Sequence, residues 1–263
     1  MKPAAFDYVR PKDWSEAVKF VGEGARPGAG TQSLGPLLNL RLSQPGTIAD
    51  LRHLPDYAGV TQSGGVLRIG AGTTHAAVED GAVPGRTGEI MAAIARRIAY
   101  RPVRNRGTIG GSLAHADPAA DWVAVLPALG GVAVALGPKG ERRLPLAGFV
   151  TGIFETALAS DELLRAVEVP VLPAGAKWGH WKFCRKVGEF SKATACVLRV
   201  PGSPPRAVLA ALDGPPLVIE DASALLADPA GEAARLVATV GELSPWRKAV
   251  AETALRHAVE AAS

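Results

Sequence analysis

Two glycine-centred segments carry the composition of a backbone anion cradle. The first is Gly28-Ala-Gly-Thr-Gln-Ser33. Glycine tolerates positive φ and has no Cβ, so Ala29, Gly30, Thr31, Gln32, Ser33 and Leu34 can turn successive N–H groups into one concavity that holds a phosphate. An ordinary strand-to-helix turn accounts for the same residues. The second is Gly107-Thr-Ile-Gly-Gly-Ser112. Gly110 and Gly111 would bring backbone close to a pyrophosphate, with Ile109 between them and Thr108, and with the hydroxyls of Thr108 and Ser112 as extra donors. No Gly-Lys-Ser/Thr follows, so this is not a Walker loop, and the spacing is not that of the Rossmann fingerprint. Two donor-rich loops suit a ligand with two adjacent phosphates. One alone would suit a plain turn.

Other side chains cluster near the second loop. Asp117 and Asp121 lie four residues apart at a helix start. Asp117 is placed to cap a helix entered through Pro118. Asp121, one turn in, can accept hydrogen bonds from a ligand hydroxyl or ring N–H. His115 is the one histidine inside a candidate loop, and no histidine pairs with another or with cysteine at metal-ligand spacing. Arg96 and Arg97 read as a solvated face, whereas Arg104 and Arg106 brace the loop or face a partner. Lys182, in Trp181-Lys-Phe-Cys-Arg-Lys186, is either a solvent-facing strand residue or a cation near an electron-rich ring.

The elements that must hold these residues follow from periodicity. Trp14–Val21 is a helix with Trp14, Ala17, Val18 and Val21 on one face. Ala25–Gly28 and Thr47–Leu51 are strands, with a helical turn over Leu34–Leu40. Val66–Ala71 is a strand, and Thr74–Asp80 and Glu89–Tyr100 are helices. Arg101–Asp121 reads as a loop, followed by a helix over Trp122–Leu129. Val132–Leu136 and Leu163–Val169 are strands. Val169–Gly175 is a linker. Beyond it, Trp178–Val187, Ala193–Val200, Ala207–Leu212 and Leu217–Glu220 form antiparallel strands. Helices then run over Ala222–Leu226, Glu232–Val240 and from Ser244-Pro245 onward. The fold class is α+β, with a unit boundary near residue 175.

Composition narrows the function classes. The 263 residues carry 29 Lys plus Arg against 25 Asp plus Glu, a net charge of +4 that suits an anionic ligand without demanding nucleic acid. The basic segment before the second loop lacks the aromatic interleaving of a nucleic-acid surface. Thirty glycines and 21 prolines imply much backbone in tight turns. Two cysteines, Cys184 and Cys196, exclude both a disulfide scaffold and an all-cysteine iron–sulfur cluster within the chain. The first residues lack an apolar signal core and no apolar run reaches membrane-spanning length, so a cytoplasmic protein without membrane insertion is expected.

Ala29-Gly-Thr-Gln-Ser-Leu34 and Gly107-Thr-Ile-Gly-Gly-Ser-Leu-Ala-His-Ala-Asp-Pro-Ala-Ala-Asp121 resemble the two FAD-pyrophosphate loops of the medium subunits of molybdenum hydroxylases. That family includes the carbon monoxide dehydrogenase medium subunit and the flavin part of xanthine dehydrogenase. Lys2–Tyr8, Gly35–Arg41, Leu163–Pro170 and Arg185–Ala193 resemble it too. The resemblance implies a two-subdomain, vanillyl-alcohol-oxidase-like (PCMH-type) FAD-binding domain over residues 1–172 and a C-terminal α+β domain over 176–263. It implies non-covalent FAD contacted by Ala29–Leu34, Thr108–Ser112, Asp121, Leu163 or Leu164, and Lys182, with His115 and Asp117 in the same motif. It further implies a small subunit with two [2Fe–2S] clusters, a large molybdopterin subunit and a dimer of heterotrimers.

Two departures stand out. The family reads Ala-Gly-Gly where this chain has Thr31 as the third residue; if that position takes positive φ, threonine is strained there. The chain is also shortened after Val200, and the cysteine-bearing insertion of the benzoyl-CoA-reducing branch is absent. A free-standing flavin reductase, or a nucleotide-binding module that has lost FAD, remains an alternative on sequence alone.

Overall fold

A computed structural model describes residues 2–263. The first unit is a three-stranded parallel sheet. Strand β1 (Asp7–Val9) leads into helix α1 (Trp14–Gly22), then β2 (Arg26–Gly28), α2 (Leu34–Asn39) and β3 (Thr47–Asp50), in the spatial order β1-β3-β2. The side chain of Asp13 accepts from Glu16 N–H to cap α1, which buries Trp14, Ala17, Val18 and Val21 as the spacing predicts. The chain leaves β2 at the carboxyl edge of this sheet, and that is where the first glycine loop lies.

The second sheet has five strands. After β4 (Val60–Ser63) and β5 (Val66–Gly70) come five helices: α3 (His75–Glu79), α4 (Gly85–Ala95), α5 (Arg101–Arg104), α6 (Ile109–His115) and α7 (Asp121–Ala128). Strands β6 (Val132–Gly137), β7 (Gly140–Pro145) and β10 (Leu163–Pro170) complete it, and β8 (Val150–Gly152) and β9 (Glu155–Thr156) form a separate two-stranded hairpin between β7 and β10. The order is β4-β5-β10-β6-β7, antiparallel throughout, with β10 in the middle. Every residue of α7 is buried, so this helix runs through the core.

The third sheet is an antiparallel meander of β11 (Lys177–Phe183), β12 (Ala193–Arg199), β13 (Arg206–Ala210) and β14 (Leu217–Ile219), followed by α8 (Ser223–Ala227), α9 (Pro229–Ala238) and α10 (Pro245–Ala261). The period of two splits its faces. Ala193, Ala195, Val197, Ala207 and Leu209 pack under the three helices. Cys196, Leu198, Val208 and Ala210 join the core that contains α7. Helix α10 lies flush on β11: a Cβ on Gly179 would sit 1.9 Å from the Ala258 carbonyl oxygen.

Several sequence expectations are corrected. The expected loop Arg101–Asp121 contains two short helices, because the side chain of Thr108 caps α6 by accepting from Gly111 N–H and buries Ile109 and Leu113. The helix expected over Glu89–Tyr100 begins at Gly85 and ends at Ala95, shortly before Ala99 turns to positive φ (42°). Asp117 does not cap α7. Its carboxylate accepts from Ala119 N–H instead, and Ala120 occupies the cap position. The strand expected to reach Val187 stops at Phe183. Strands β4 and β7 carry mostly exposed polar residues at the two sheet edges, so they leave no apolar pattern to read.

Candidate functional site

The two glycine loops meet. A Cβ on Gly30 would fall 1.8 Å from the carbonyl oxygen of Arg106, so only glycine lets the first loop lie against the second. A Cβ on Gly111 would come within 3.6 Å of the Ala29 methyl. Residues far apart in the chain thus form one seam between the parallel sheet and the helices of the second sheet.

The loops contribute unequally. In the first, the N–H groups of Gly30, Thr31, Gln32, Ser33 and Leu34 find no acceptor among the described residues. The Gln32 side-chain amide donates to the Gly30 carbonyl at 3.0 Å and braces the turn. Ser33 takes the cap position of α2 without a side-chain hydrogen bond. Thr31 has φ 57°, so the position does take the left-handed conformation and holds a β-branched residue in it.

In the second loop the amides are already engaged within the protein. Ile109 N–H donates to Thr73 O and Gly110 N–H to Ala71 O. Gly111 N–H donates to Thr108 Oγ1, and Ser112 N–H to Thr108 O. Gly110 is required by packing, since a Cβ there would meet Ala71 at 2.4 Å. What this loop offers the seam is the Ser112 and Thr108 hydroxyls and a glycine face at Gly111.

The loop is held from beneath. Arg104 is buried and donates to both oxygens of Glu79 and to the carbonyls of Ile98 and Ala99, which is the bracing role expected of it. His75, missed by sequence reasoning, lies under Gly107: its N–H donates to Gly107 O, and its ring Nδ1 accepts from the Trp122 indole. Burial, aided by the Arg104 charge, holds the His75 imidazole down to about 4. Arg106 is exposed.

Asp121 and Lys182 find each other across 61 residues. Lys182 Nζ donates to both carboxylate oxygens at 3.0 and 2.9 Å, with both side chains buried. Lys182 is therefore not the solvent-facing residue its strand suggested. It lies on the face of the sheet whose strands β12 and β13 pack against α7. Burial pushes the Asp121 carboxyl up, and Lys182, with help from Arg97, opposes it. His180, two residues earlier on the same face, bonds Arg97 through Nδ1 at 3.2 Å and Thr194 through Nε2 at 3.1 Å. Arg97 is thus drawn into the junction, not left on a solvated face; Arg96 is exposed as expected.

Leu163 and Leu164 are buried on β10 next to a register shift before Ala166. His115 is half-buried at the end of α6, its imidazole held down by desolvation, with Asp117 opposing and Arg26 assisting. A diphosphate fits this set: a run of unengaged amides in the first loop and two hydroxyls in the second, on loops that meet because residue 30 is glycine.

Comparison with known proteins agrees with that chemistry. Residues 4–172 match the family described as the FAD binding domain in molybdopterin dehydrogenase. The chain is 37% identical to the carbon monoxide dehydrogenase medium chain of Afipia carboxidovorans over 202 residues, 75% of this chain and 70% of that one. It is 38% identical to the 6-hydroxypseudooxynicotine dehydrogenase complex subunit alpha of Paenarthrobacter nicotinovorans over 194 residues, 73% of this chain and 66% of that one. A chain of reconstituted CO dehydrogenase from Oligotropha carboxidovorans superposes with a TM-score of 0.91 at 32% identity, covering 100% of this chain and 99% of that one. The chain therefore belongs to the FAD-binding domain family of the molybdopterin dehydrogenases, a family of oxidoreductases.

Proposed function

We propose that this chain is the FAD-binding, electron-transferring subunit of a three-subunit molybdenum hydroxylase. It would receive electrons from [2Fe–2S] clusters in a small partner subunit, reduced by a large molybdopterin subunit, and pass them to an external acceptor. The observation that carries the reading is the contact of Gly30 with Arg106, which sets a run of unengaged amides against Gly111. The two free cysteines, one of them buried, fit a reducing cytoplasm and leave cluster ligation to another chain. The assembly is proposed as a dimer of heterotrimers. Residues 1–172 are proposed as a two-subdomain PCMH-type FAD-binding unit and 176–263 as a C-terminal unit whose β11 closes the site.

Within that reading, the amides of Ala29–Leu34 hold the diphosphate, with the Thr108 and Ser112 hydroxyls on its other side. Gly110 and Ile109 fix the height of the second loop. Asp121 and Lys182 form a buried polar pair at the junction of the two units. Leu163, Leu164, His115 and Asp117 border the cofactor's path. When bound, FAD supplies chemistry that works in both one- and two-electron steps.

The test is the visible spectrum and subunit composition of the native purified protein, beside Gly111→Asp. The wild type should carry flavin and copurify with two partners. The variant should lose the flavin, because its carboxylate faces the diphosphate. Full flavin content in the variant, or a wild type that takes up none when FAD is added, overturns the assignment.

A further inference from the structure

The second and third sheets are joined through residues 170–176, the segment whose composition marks it as a linker. A joint of that kind is ordinarily where two units move against each other. Here it is bracketed. Thr87, 1% exposed in the first turn of α4, donates from its hydroxyl to the Pro170 carbonyl at 2.8 Å and accepts from the Leu172 N–H at 2.9 Å. One oxygen thus satisfies two backbone groups on either side of Val171, and Val171 N–H donates to the Gly65 carbonyl at 2.8 Å. Beside Thr87, Arg86 Nε donates at 3.0 Å to the carbonyl of Ala176, the residue before β11 begins. Leu172 and Ala176 are buried in the same core as α7. The turn of α4 that presents both side chains is itself fixed: a Cβ on Gly88 would fall 1.7 Å from the Val83 carbonyl oxygen.

What the bracket holds is β11. That strand is at the edge of its sheet and pairs only with β12, so no strand supports its outer side. Its fastenings run in order along α4 and the turn that follows. Arg86 bonds Ala176, Arg97 bonds His180 at 3.2 Å, and a single parallel bridge joins Ile98 to Gly188. Lys182 lies between the last two and reaches Asp121 on α7 at 2.9 and 3.0 Å. His180 and Lys182 share a face of β11 because strand side chains alternate. A shift of one residue at the start of the strand would turn both to the other face. That start is where Thr87 and Arg86 act, and neither hydrogen-bonds to Asp121 or Lys182.

We propose that Thr87 is a positioning residue of the cofactor site: its hydroxyl fixes residues 170–172, Arg86 fixes Ala176, and together they set where β11 presents Lys182 to Asp121. This rests on the FAD reading above, in which β11 closes the site. The test compares Thr87→Val, which keeps the shape but removes donor and acceptor, with Thr87→Ser, which keeps the hydroxyl but removes the methyl. The full chain stripped of flavin is titrated with FAD by calorimetry, urea midpoints show which variants are folded, and the visible circular dichroism of the bound flavin reports the geometry around its ring. Thr87→Val should weaken FAD on the order of tenfold and alter the dichroism, and Thr87→Ser should restore both. A side chain that only fills space would give the reverse order, with serine the worse, and that result overturns the proposal. Arg86→Met, at a side chain 30% exposed, serves if valine prevents folding; it should alter the dichroism in the same sense with a smaller loss of affinity. Wild-type affinity and dichroism in a folded Thr87→Val, or in Arg86→Met where valine does not fold, overturn the positioning role while the FAD assignment stands. A wild type that takes up no FAD overturns the FAD assignment itself.

Discussion

At the scale of single residues, Thr31 sets the backbone strain of the first loop. A left-handed L-residue costs roughly 1–2 kcal/mol, and a β-branched one is among the least suited. The cost persists because the flanking Gly30 must approach Arg106 and because Gly35 N–H donates back to Thr31 O to open α2. Thr31→Gly should therefore raise stability by about 1 kcal/mol, the relieved strain less the extra chain entropy of glycine. The urea midpoint measures this. A fall in the midpoint would show that the threonine side chain packs or bonds in a way that outweighs its strain.

At the scale of elements, the Lys182–Asp121 pair joins β11 to the first turn of α7. Each charge is buried, and each satisfies the other, so removing one strands its partner. Lys182→Met should cost about 3–5 kcal/mol in unfolding free energy. The double variant Lys182→Met, Asp121→Asn should recover much of that loss, since no uncompensated charge is left. Equal losses in the single and double variants would mean that the site tolerates a lone buried carboxylate, and the pair would then not be what couples the elements. The pairing also rules out the first of the two readings of Lys182, a solvent-facing strand residue. Lys182 is polar and occupies a face that is solvated in an isolated sheet, but here that face lies on a helix whose residues are all buried.

At the scale of the whole molecule, two buried histidines make the fold acid-sensitive. Burial and neighbouring cations hold His75 down to about 4 and His180 to about 3, against about 6.5 in the unfolded chain. Both rings stay neutral in the folded state, His75 accepting from Trp122 and His180 from Arg97. Below pH 6.5 the unfolded chain takes up protons that the folded chain refuses. Their stabilisation is thus complete above about 6.5 and is lost as pH falls toward 4 and 3, at about 1.4 kcal/mol per pH unit for each ring. Urea midpoints from pH 7 to 4.5 should show this decline. His75→Gln, which keeps an acceptor for the Trp122 indole but cannot titrate, should make the slope shallower by up to about 1.4 kcal/mol per pH unit. A slope unaltered in that variant would place the acid sensitivity elsewhere.

What the chain alone determined was local. The glycines, hydroxyls and prolines of the two loops, the amphipathic stripe of α1 and the apolar runs of the C-terminal strands are short-range patterns, and the loop motifs were specific enough to indicate the cofactor class. What only the tertiary structure decided was which groups are left over once the protein has bonded to itself. The amides of Ile109 and Gly110 are consumed by Thr73 and Ala71, whereas those of Gly30–Leu34 are not. Asp121 is met by Lys182, and Phe154 is pinned to Ala116. The physical reason is that a donor or charge is available to a ligand only if no acceptor approaches it, and those acceptors lie tens of residues away, brought there by sheet order and helix packing.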